Sequence, residues 1–127
     1  MEFPENLLYS EDHEWVRDEG GQVTIGITDY AQSQLRDIVY VDLPEIGSEY
    51  GKGESMGVVE SVKTVADIFS PVTGKVIEKN LSLRDHPEYI NADPYGKGWL
   101  LKMQLREKEE LKGLLSSEAY QVTLPEE

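Results

Sequence analysis

The segment ESVKTVADIFSPVTG, residues 60–74, contains a lysine at the tip of a predicted β-hairpin. Two strand-like runs, SMGVVESV at 55–62 and VADIFSPV at 65–72, meet at the pair Lys63-Thr64. Tight hairpin turns usually contain Asn-Gly, Asp-Gly or another glycine pair, because these residues tolerate positive φ. Taken alone, such a lysine is an ordinary solvated side chain, so its meaning depends on the sequence around it.

Apolar residues alternate with small or polar residues in several other parts of the chain. The runs 14–17 and 23–27 read as two strands joined by a turn at DEGG, residues 18–21. Residues 39–43 and 99–105 show the same period of two, and their odd-numbered residues are expected to share one buried face. This alternation predicts half-buried strands over most of the chain.

Helical patterns are short and lie between or after these strands. In TDYAQSQLRD, residues 28–37, Thr28 or Asp29 is a candidate N-cap, and Gln32 stands at capping-box spacing from Asp29. A C-terminal helical segment is expected at about 107–122. The following residues mark that segment, three as a shared apolar face and two as possible starts of its last turns: Leu111, Leu114, Leu115, Ser116 and Ser117.

Composition places the chain among small globular proteins, and the strand and helix patterns predict that it is mainly β, with an α+β character. Its 127 residues and 14.4 kDa suit a single domain over residues 1–127. With 12 basic and 25 acidic residues, the formal charge of −13 disfavours nucleic acid and anionic membrane surfaces as partners. We therefore expect neither kind of partner.

The residue types also bear on the compartment. The chain contains no cysteine, which excludes a disulfide framework and suits a reducing compartment. The first ten residues, MEFPENLLYS, have neither the basic start nor the apolar core of a signal peptide. A cytoplasmic location is expected, or the mitochondrial matrix or chloroplast if the chain is a processed mature form.

Five blocks, taken together, resemble the H protein of the glycine cleavage system. They occur in the order typical of that family. The lysine-bearing hairpin alone would be weak evidence, because biotin carriers and the lipoyl domains of 2-oxo acid dehydrogenases use similar hairpins. The blocks are HEWV at 13–16, GITDYAQ at 26–32, VDLPEIG at 41–47, ESVKTVADIFSPVTG at 60–74 and NADPYGKGWLLKM at 91–103. The resemblance therefore extends from the first strands to the last one.

The resemblance implies a barrel-sandwich hybrid fold like that of lipoyl domains, with the lipoyl hairpin at about 55–72. It implies (R)-lipoate bound covalently to Lys63 and a non-catalytic carrier subunit. Such a carrier takes the aminomethyl group of glycine from the pyridoxal-phosphate glycine decarboxylase to the tetrahydrofolate-dependent aminomethyltransferase. A dihydrolipoyl dehydrogenase then reoxidises it, and a lipoate ligase or octanoyltransferase installs the cofactor.

The same resemblance implies roles for four further residues. Glu60 and Gly74 are expected to matter to the modifying enzyme, Gly74 by permitting a turn after Pro71. Glu14 and Asp67 are expected to contact the loaded arm. No catalytic residue and no metal ligand is expected. Tyr30 stands where some family members carry histidine, so that position departs from the family pattern.

Other readings of Lys63 fit the sequence less well. Biotin carriers typically place methionine beside their lysine, whereas Val62 and Thr64 flank Lys63 here. Lipoyl domains of 2-oxo acid dehydrogenases usually have aspartate before the lysine. A donor of lipoyl groups to other lipoyl domains shares every block and stays open as the alternative. A lipid- or protein-binding β-sandwich without any prosthetic group also stays open.

An enzymatic centre is not indicated by any motif. His13 and His86 lie far apart in the sequence, and the chain has no nucleophile elbow and no phosphate-binding glycine loop. Each histidine is expected to be an ordinary surface or hydrogen-bonded side chain.

Overall fold

The structure is a computed structural model that describes residues 1–125. The last two residues of the predicted domain, 126 and 127, lie outside the described residues. The strands are β1 Leu8–Tyr9, β2 Glu14–Asp18, β3 Gln22–Ile27, β4 Ile38–Asp42, β5 Glu49–Tyr50, β6 Ser55–Ser61, β7 Val65–Phe69, β8 Gly74–Lys79 and β9 Leu101–Leu105. The α-helices are α1 Asp29–Leu35, α2 Tyr89–Ala92 and α3 Ser117–Thr123, and 3-10 helices span Leu81–Arg84 and Lys108–Gly113.

The strands form two antiparallel sheets. The larger has six strands in the order β1-β2-β3-β9-β8-β5, and the smaller has three in the order β4-β6-β7. The predicted hairpin is the β6–β7 pair of the smaller sheet. The prediction of a mainly β fold with short helices is confirmed. Within residues 1–125, no helix is both long and apolar enough to cross a membrane.

Both sheets contribute to the main hydrophobic core. Ile25 and Met103 come from the larger sheet, Val59 and Ile68 come from the smaller one, and all four are almost fully buried. Burying each such side chain contributes about 1.5–3 kcal/mol relative to leaving it in water. The core therefore anchors β6 through Val59 and β7 through Ile68.

A second, smaller core is aromatic and anchors the C-terminal helix. Trp15 on β2 lies across from Gly26 on β3, where a β-carbon would overlap the indole ring. The indole nitrogen of Trp15 donates to the carbonyl oxygen of Pro94 at 3.0 Å. Tyr120 of α3 stacks on Tyr9 with ring centroids 4.9 Å apart. Phe3 near the N-terminus and Tyr120 of α3 thus belong to the same aromatic cluster as Trp15 of β2.

Helix α1 begins at the predicted cap. Thr28 is the N-cap, and its hydroxyl oxygen accepts from the backbone N–H of Ala31 at 3.1 Å. Gln32 does not complete a capping box with the backbone, because its side chain donates to the carboxylate of Asp29 instead, at 2.7 Å. The helix follows β3 directly and ends at Arg36, whose φ is 69°.

The alternation over 39–43 predicted the wrong inward residue at one position. Val39 is 49% exposed, whereas its neighbour Ile38 is only 4% exposed and belongs to the core. The register of β4 against β6 shifts between Ile38 and Tyr40. Because a bulge adds one residue to one strand, it reverses the facing of the residues beside it.

The C-terminal segment is also less regular than predicted. It divides into the 3-10 helix Lys108–Gly113 and helix α3, capped by the Ser116 hydroxyl. Leu115 interrupts it by pairing with Tyr9 through two backbone hydrogen bonds of 2.7 and 2.8 Å. The predicted shared face is therefore wrong, since Leu111 and Leu114 pack on the main core while Leu115 packs on the aromatic one.

Candidate functional site

The turn between β6 and β7 is held by a serine side chain instead of a glycine. The hydroxyl oxygen of Ser61 accepts from the backbone N–H groups of Lys63 and Thr64, both at 3.1 Å. The backbone N–H of Ser61 donates to the carbonyl of Thr64 at 2.8 Å. The tip is therefore Val62-Lys63, one residue earlier than predicted, and neither residue has a positive φ.

The Lys63 side chain is exposed at this tip. Its ammonium nitrogen donates to the backbone carbonyl of Gln34, near the end of α1, at 3.5 Å. The backbone N–H of Val62 donates to the carbonyl of Asp37 at 3.0 Å, which ties the turn to the segment after α1. The backbone at the tip is thus fixed while the amine stays accessible to another molecule.

A cleft of about 290 Å³ opens between α1 and the β6–β7 hairpin. We call it the α1 cleft. Part of its lining is apolar and includes Ile27, Leu35 and Val59, and several polar residues line the rest. The other lining residues are Asp12, His13, Glu14, Tyr30, Ala31, Gln34, Ala66 and Asp67. Gln34 connects the cleft to Lys63, because its carbonyl accepts from the Lys63 amine.

Glu14 is a buried acid in this cleft, with only 1% of its surface exposed. One carboxyl oxygen accepts from the Ser10 hydroxyl at 2.6 Å, and the other accepts from the backbone N–H of Phe69 at 3.1 Å. Burial raises the pKa of Glu14 to about 8, against the lowering effect of those two hydrogen bonds. Burial thus disfavours the ionised form of Glu14, and a cation in the cleft would favour it.

Asp67 is a second acidic residue that lines the cleft. Its side chain is exposed, and one carboxylate oxygen accepts from the Ser55 hydroxyl at 3.1 Å. The structure therefore brings Glu14 and Asp67 to one cavity, although they lie 53 residues apart in the sequence.

Glu60 and Gly74 do not meet. Glu60 is exposed on the outer face of the smaller sheet, between Tyr40 and Val65 on the neighbouring strands. Gly74 lies in β8 and pairs with Leu105 of β9. The prediction of a turn at Gly74 is wrong, because Gly74 is the first residue of strand β8. A glycine fits there because a β-carbon would overlap the backbone carbonyl oxygen of Gln104 on β9.

Several site residues were missed from the sequence. Ser61 holds the turn, Ser10 satisfies Glu14, and Gln34 receives the lysine amine. A serine two residues before a turn lysine is a local signal that could have identified Ser61. The others depend on contacts between distant parts of the chain.

The two histidines have different surroundings. His13 is half-buried in the cleft wall, and its ring lies 5.1 Å from that of Tyr30. His86 is exposed and pairs with Glu88 at 3.0 Å. Over the described part of the chain, no group of three or more His, Cys, Asp or Glu residues is arranged to hold a metal ion.

Comparison with known proteins gives this geometry a family. A family model described as Glycine cleavage H-protein matches residues 7–127. The chain belongs to the glycine cleavage H-protein family. A Glycine cleavage system H protein from Listeria monocytogenes is 53% identical over 124 residues, which cover 98% of this chain and 99% of the relative.

Two further members of the glycine cleavage H-protein family support the assignment. A Glycine cleavage system H protein from Staphylococcus saprophyticus is 51% identical over 120 residues, which cover 94% of this chain and 95% of the relative. The crystal structure of a glycine cleavage system H protein from Mycobacterium marinum superposes with a TM-score of 0.84 at 39% identity, covering 95% of this chain and 99% of that one. The predicted barrel-sandwich hybrid of the lipoyl type is confirmed.

The buried carboxyl of Glu14 predicts a specific dependence of stability on pH. Its folded pKa of about 8 lies above the ordinary value of 4.5, so between these values the folded chain holds a proton that the unfolded chain has lost. As the pH rises across that window, the free energy of unfolding of the wild type should fall, relative to that of Glu14→Gln, by roughly 1.4 kcal/mol per pH unit. Urea unfolding at pH 5, 6.5 and 8 measures the difference; parallel pH profiles would show that Glu14 ionises normally.

Proposed function

We propose that this chain is a lipoylated carrier that moves the aminomethyl group of glycine between the enzymes of the glycine cleavage system. The observation that supports this most directly is the exposed amine of Lys63, on a rigid turn beside the α1 cleft. An amide formed at that amine would place a flexible arm at an accessible tip. Lipoate, when bound there, would supply a dithiolane that accepts the one-carbon cargo.

A carrier of this kind needs a fixed base and a mobile arm. The hydrogen bonds of Ser61 and the pairing of β6 with β7 hold the base without any catalytic group. The tether keeps the cargo at high effective concentration near a docked enzyme. The chain therefore acts as a non-catalytic subunit, organised as one carrier domain over residues 1–127.

Its partners follow from that role. They are the glycine decarboxylase, the aminomethyltransferase, the dihydrolipoyl dehydrogenase and the lipoate ligase or octanoyltransferase. The relatives compared above are bacterial, which supports a cytoplasmic location. Donation of lipoyl groups to other lipoyl domains would use the same lysine and stays the alternative.

The α1 cleft is the proposed shelter for the loaded arm. Water converts a carbon bonded to both an amine nitrogen and a sulfur into formaldehyde, ammonia and the free thiol. A cavity that limits the access of water slows that loss. Glu14 and Asp67 attract the protonated amine, and the apolar lining, including Ile27 and Leu35, keeps water out.

The first test of the proposal concerns Lys63. We expect native protein to carry lipoate on Lys63 alone, because that amine stands at a fixed and exposed tip. Lys63→Arg keeps the charge but has no amine that can form the amide, so it should retain the fold and lose all carrier activity. Peptide mass spectrometry and glycine–bicarbonate exchange measure the two effects. Lipoate on Lys52, Lys75 or another lysine would reject the assignment.

The second test separates recognition from folding at Glu60 and Gly74. Glu60 is exposed, so Glu60→Gln should slow lipoylation of Lys63 without changing stability. Gly74→Ala should lower the free energy of unfolding by about 1–3 kcal/mol, because its β-carbon meets the β9 backbone. Gly113→Ala is the control, since its β-carbon would meet only the flexible end of Lys52.

Lipoylation kinetics and urea unfolding decide between the two roles. If Glu60→Gln is lipoylated at the wild-type rate, that residue has no part in recognition. If Gly74→Ala is as stable as Gly113→Ala but is lipoylated slowly, Gly74 acts in recognition and not in packing.

The third test concerns the two acids of the cleft. The double variant Glu14→Ala, Asp67→Ala should be lipoylated normally but should release formaldehyde about fivefold faster once loaded, the upper end of what an ion pair with the exposed Asp67 contributes. The carrier is loaded with glycine and the decarboxylase, and formaldehyde is followed without tetrahydrofolate. Asp42→Ala, Glu78→Ala removes two exposed strand acids and is the control. Equal release from both double variants would remove Glu14 and Asp67 from the proposed role.

A further inference from the structure

A chain of side-chain hydrogen bonds connects helix α3 to the wall of the α1 cleft. The hydroxyl of Tyr120 lies 2.8 Å from Nδ1 of His13 and 2.8 Å from the hydroxyl of Thr28. Tyr120 and Thr28 are fully buried. The Tyr120 ring is fixed by stacking on Tyr9 at 4.9 Å and by an edge contact with Phe3 at 5.7 Å. The hydroxyl of Tyr120 is therefore held in one place.

The hydrogen atoms of this hydrogen-bond network have one arrangement in which every donor has an acceptor. A hydroxyl carries a single hydrogen, and the Thr28 oxygen already accepts from the backbone N–H of Ala31 at 3.1 Å. If Thr28 donates to Tyr120, then Tyr120 donates to Nδ1 of His13. The reverse direction would leave the buried Thr28 hydrogen without an acceptor among residues 1–125. Nδ1 is therefore the acceptor, and the ring proton belongs on Nε2.

We propose that Tyr120 is a positioning residue that holds His13 as a neutral imidazole, protonated on Nε2, in the wall of the α1 cleft. This proposal rests on the proposed role of that cleft in sheltering the arm. His13 has a left-handed backbone conformation with φ of 69°, which residues other than glycine adopt at some cost in energy. The bond to Tyr120 and the backbone bond from Thr28 N–H to the His13 carbonyl, at 3.0 Å, hold it there.

A neutral His13 matters because of the charges around it. Asp12, Glu14 and Asp67 line the same cavity, so the cleft favours a protonated amine. A cationic imidazole in that wall would repel the amine and promote the loss of its proton. Burial also lowers the pKa of His13, which favours the same neutral form. Among the described residues no polar atom contacts Nε2, so its N–H is available to a group in the cleft.

The proposal gives a role to the C-terminal helix. Through Tyr120, α3 reaches both His13 in the cleft wall and Thr28, the N-cap of α1. One buried hydroxyl thereby bonds to a residue of the cleft wall and to the N-cap of the helix that forms another part of that wall. A change confined to that oxygen should alter the cleft while leaving the aromatic core in place.

The test compares Tyr120→Phe with Tyr9→Phe in the full-length chain. Tyr120→Phe keeps the ring and its stacking but removes the bridging hydroxyl. Tyr9→Phe removes another buried hydroxyl, which donates to the Pro4 carbonyl at 2.7 Å and does not contact His13. Any general effect of losing a buried hydroxyl should therefore occur in both variants.

The first measurement is the tautomer of His13, read from ¹⁵N chemical shifts of the imidazole in unlipoylated protein. Wild type and Tyr9→Phe should show the neutral ring with its proton on Nε2, and Tyr120→Phe should show a mixture or the Nδ1-protonated form. The second measurement is formaldehyde release from the loaded carrier, which should be about fivefold faster in Tyr120→Phe than in Tyr9→Phe, the factor expected for one neutral hydrogen bond.

Either result can overturn the proposal. A His13 tautomer in Tyr120→Phe that matches wild type would show that Tyr120 does not set it. Release from Tyr120→Phe at the rate of Tyr9→Phe would show that the hydroxyl does not act on the cleft. The tautomer measurement needs no lipoate, so it is independent of the proposed carrier function; if wild-type protein accepts no lipoate or no aminomethyl group, the carrier function fails instead.

Discussion

The buried carboxyl of Glu14 is the contact on which the arrangement of the site depends. Glu14 belongs to β2 of the larger sheet, and it accepts a hydrogen bond from the backbone N–H of Phe69 on β7 of the smaller sheet. A side chain thus satisfies a backbone donor at the junction of the two sheets and fixes one edge of the cleft. Its raised pKa shows that ionisation at this place is costly, so the contact serves the site at some expense of stability at neutral pH.

Around this contact, the molecule separates a rigid support from an exposed reactive group. The turn at Lys63 is fixed by short-range hydrogen bonds to Ser61, which replace the glycine that a tight turn would otherwise need. The cleft beside it is lined by residues of β2 and α1, from the first third of the chain, and of β7, from its middle. The same small region therefore combines an exposed amine with a partly apolar cavity.

The sequence predicted the elements well where the determining interactions are local. The alternation at 23–27, the cap at Thr28 and the hairpin around Lys63 each depend on residues within a few positions, and the structure contains all three. Predictions failed where a distant partner decides. The inward face of β4 changes at a bulge against β6, and Leu115 leaves the helical segment because it pairs with β1.

The sequence by itself determined the mainly β fold class, the place of Lys63 near a hairpin tip and the likeness to one family, because these depend on local patterns and on the order of short blocks. Only the tertiary structure decided that Glu14 is buried and has a raised pKa, that Gly74 lies in a strand instead of a turn, and that Tyr120 bonds to His13 across 107 positions of the chain. The physical reason is that burial, pKa and hydrogen-bond partners depend on which groups surround a side chain, and those groups come from distant segments that only folding brings together.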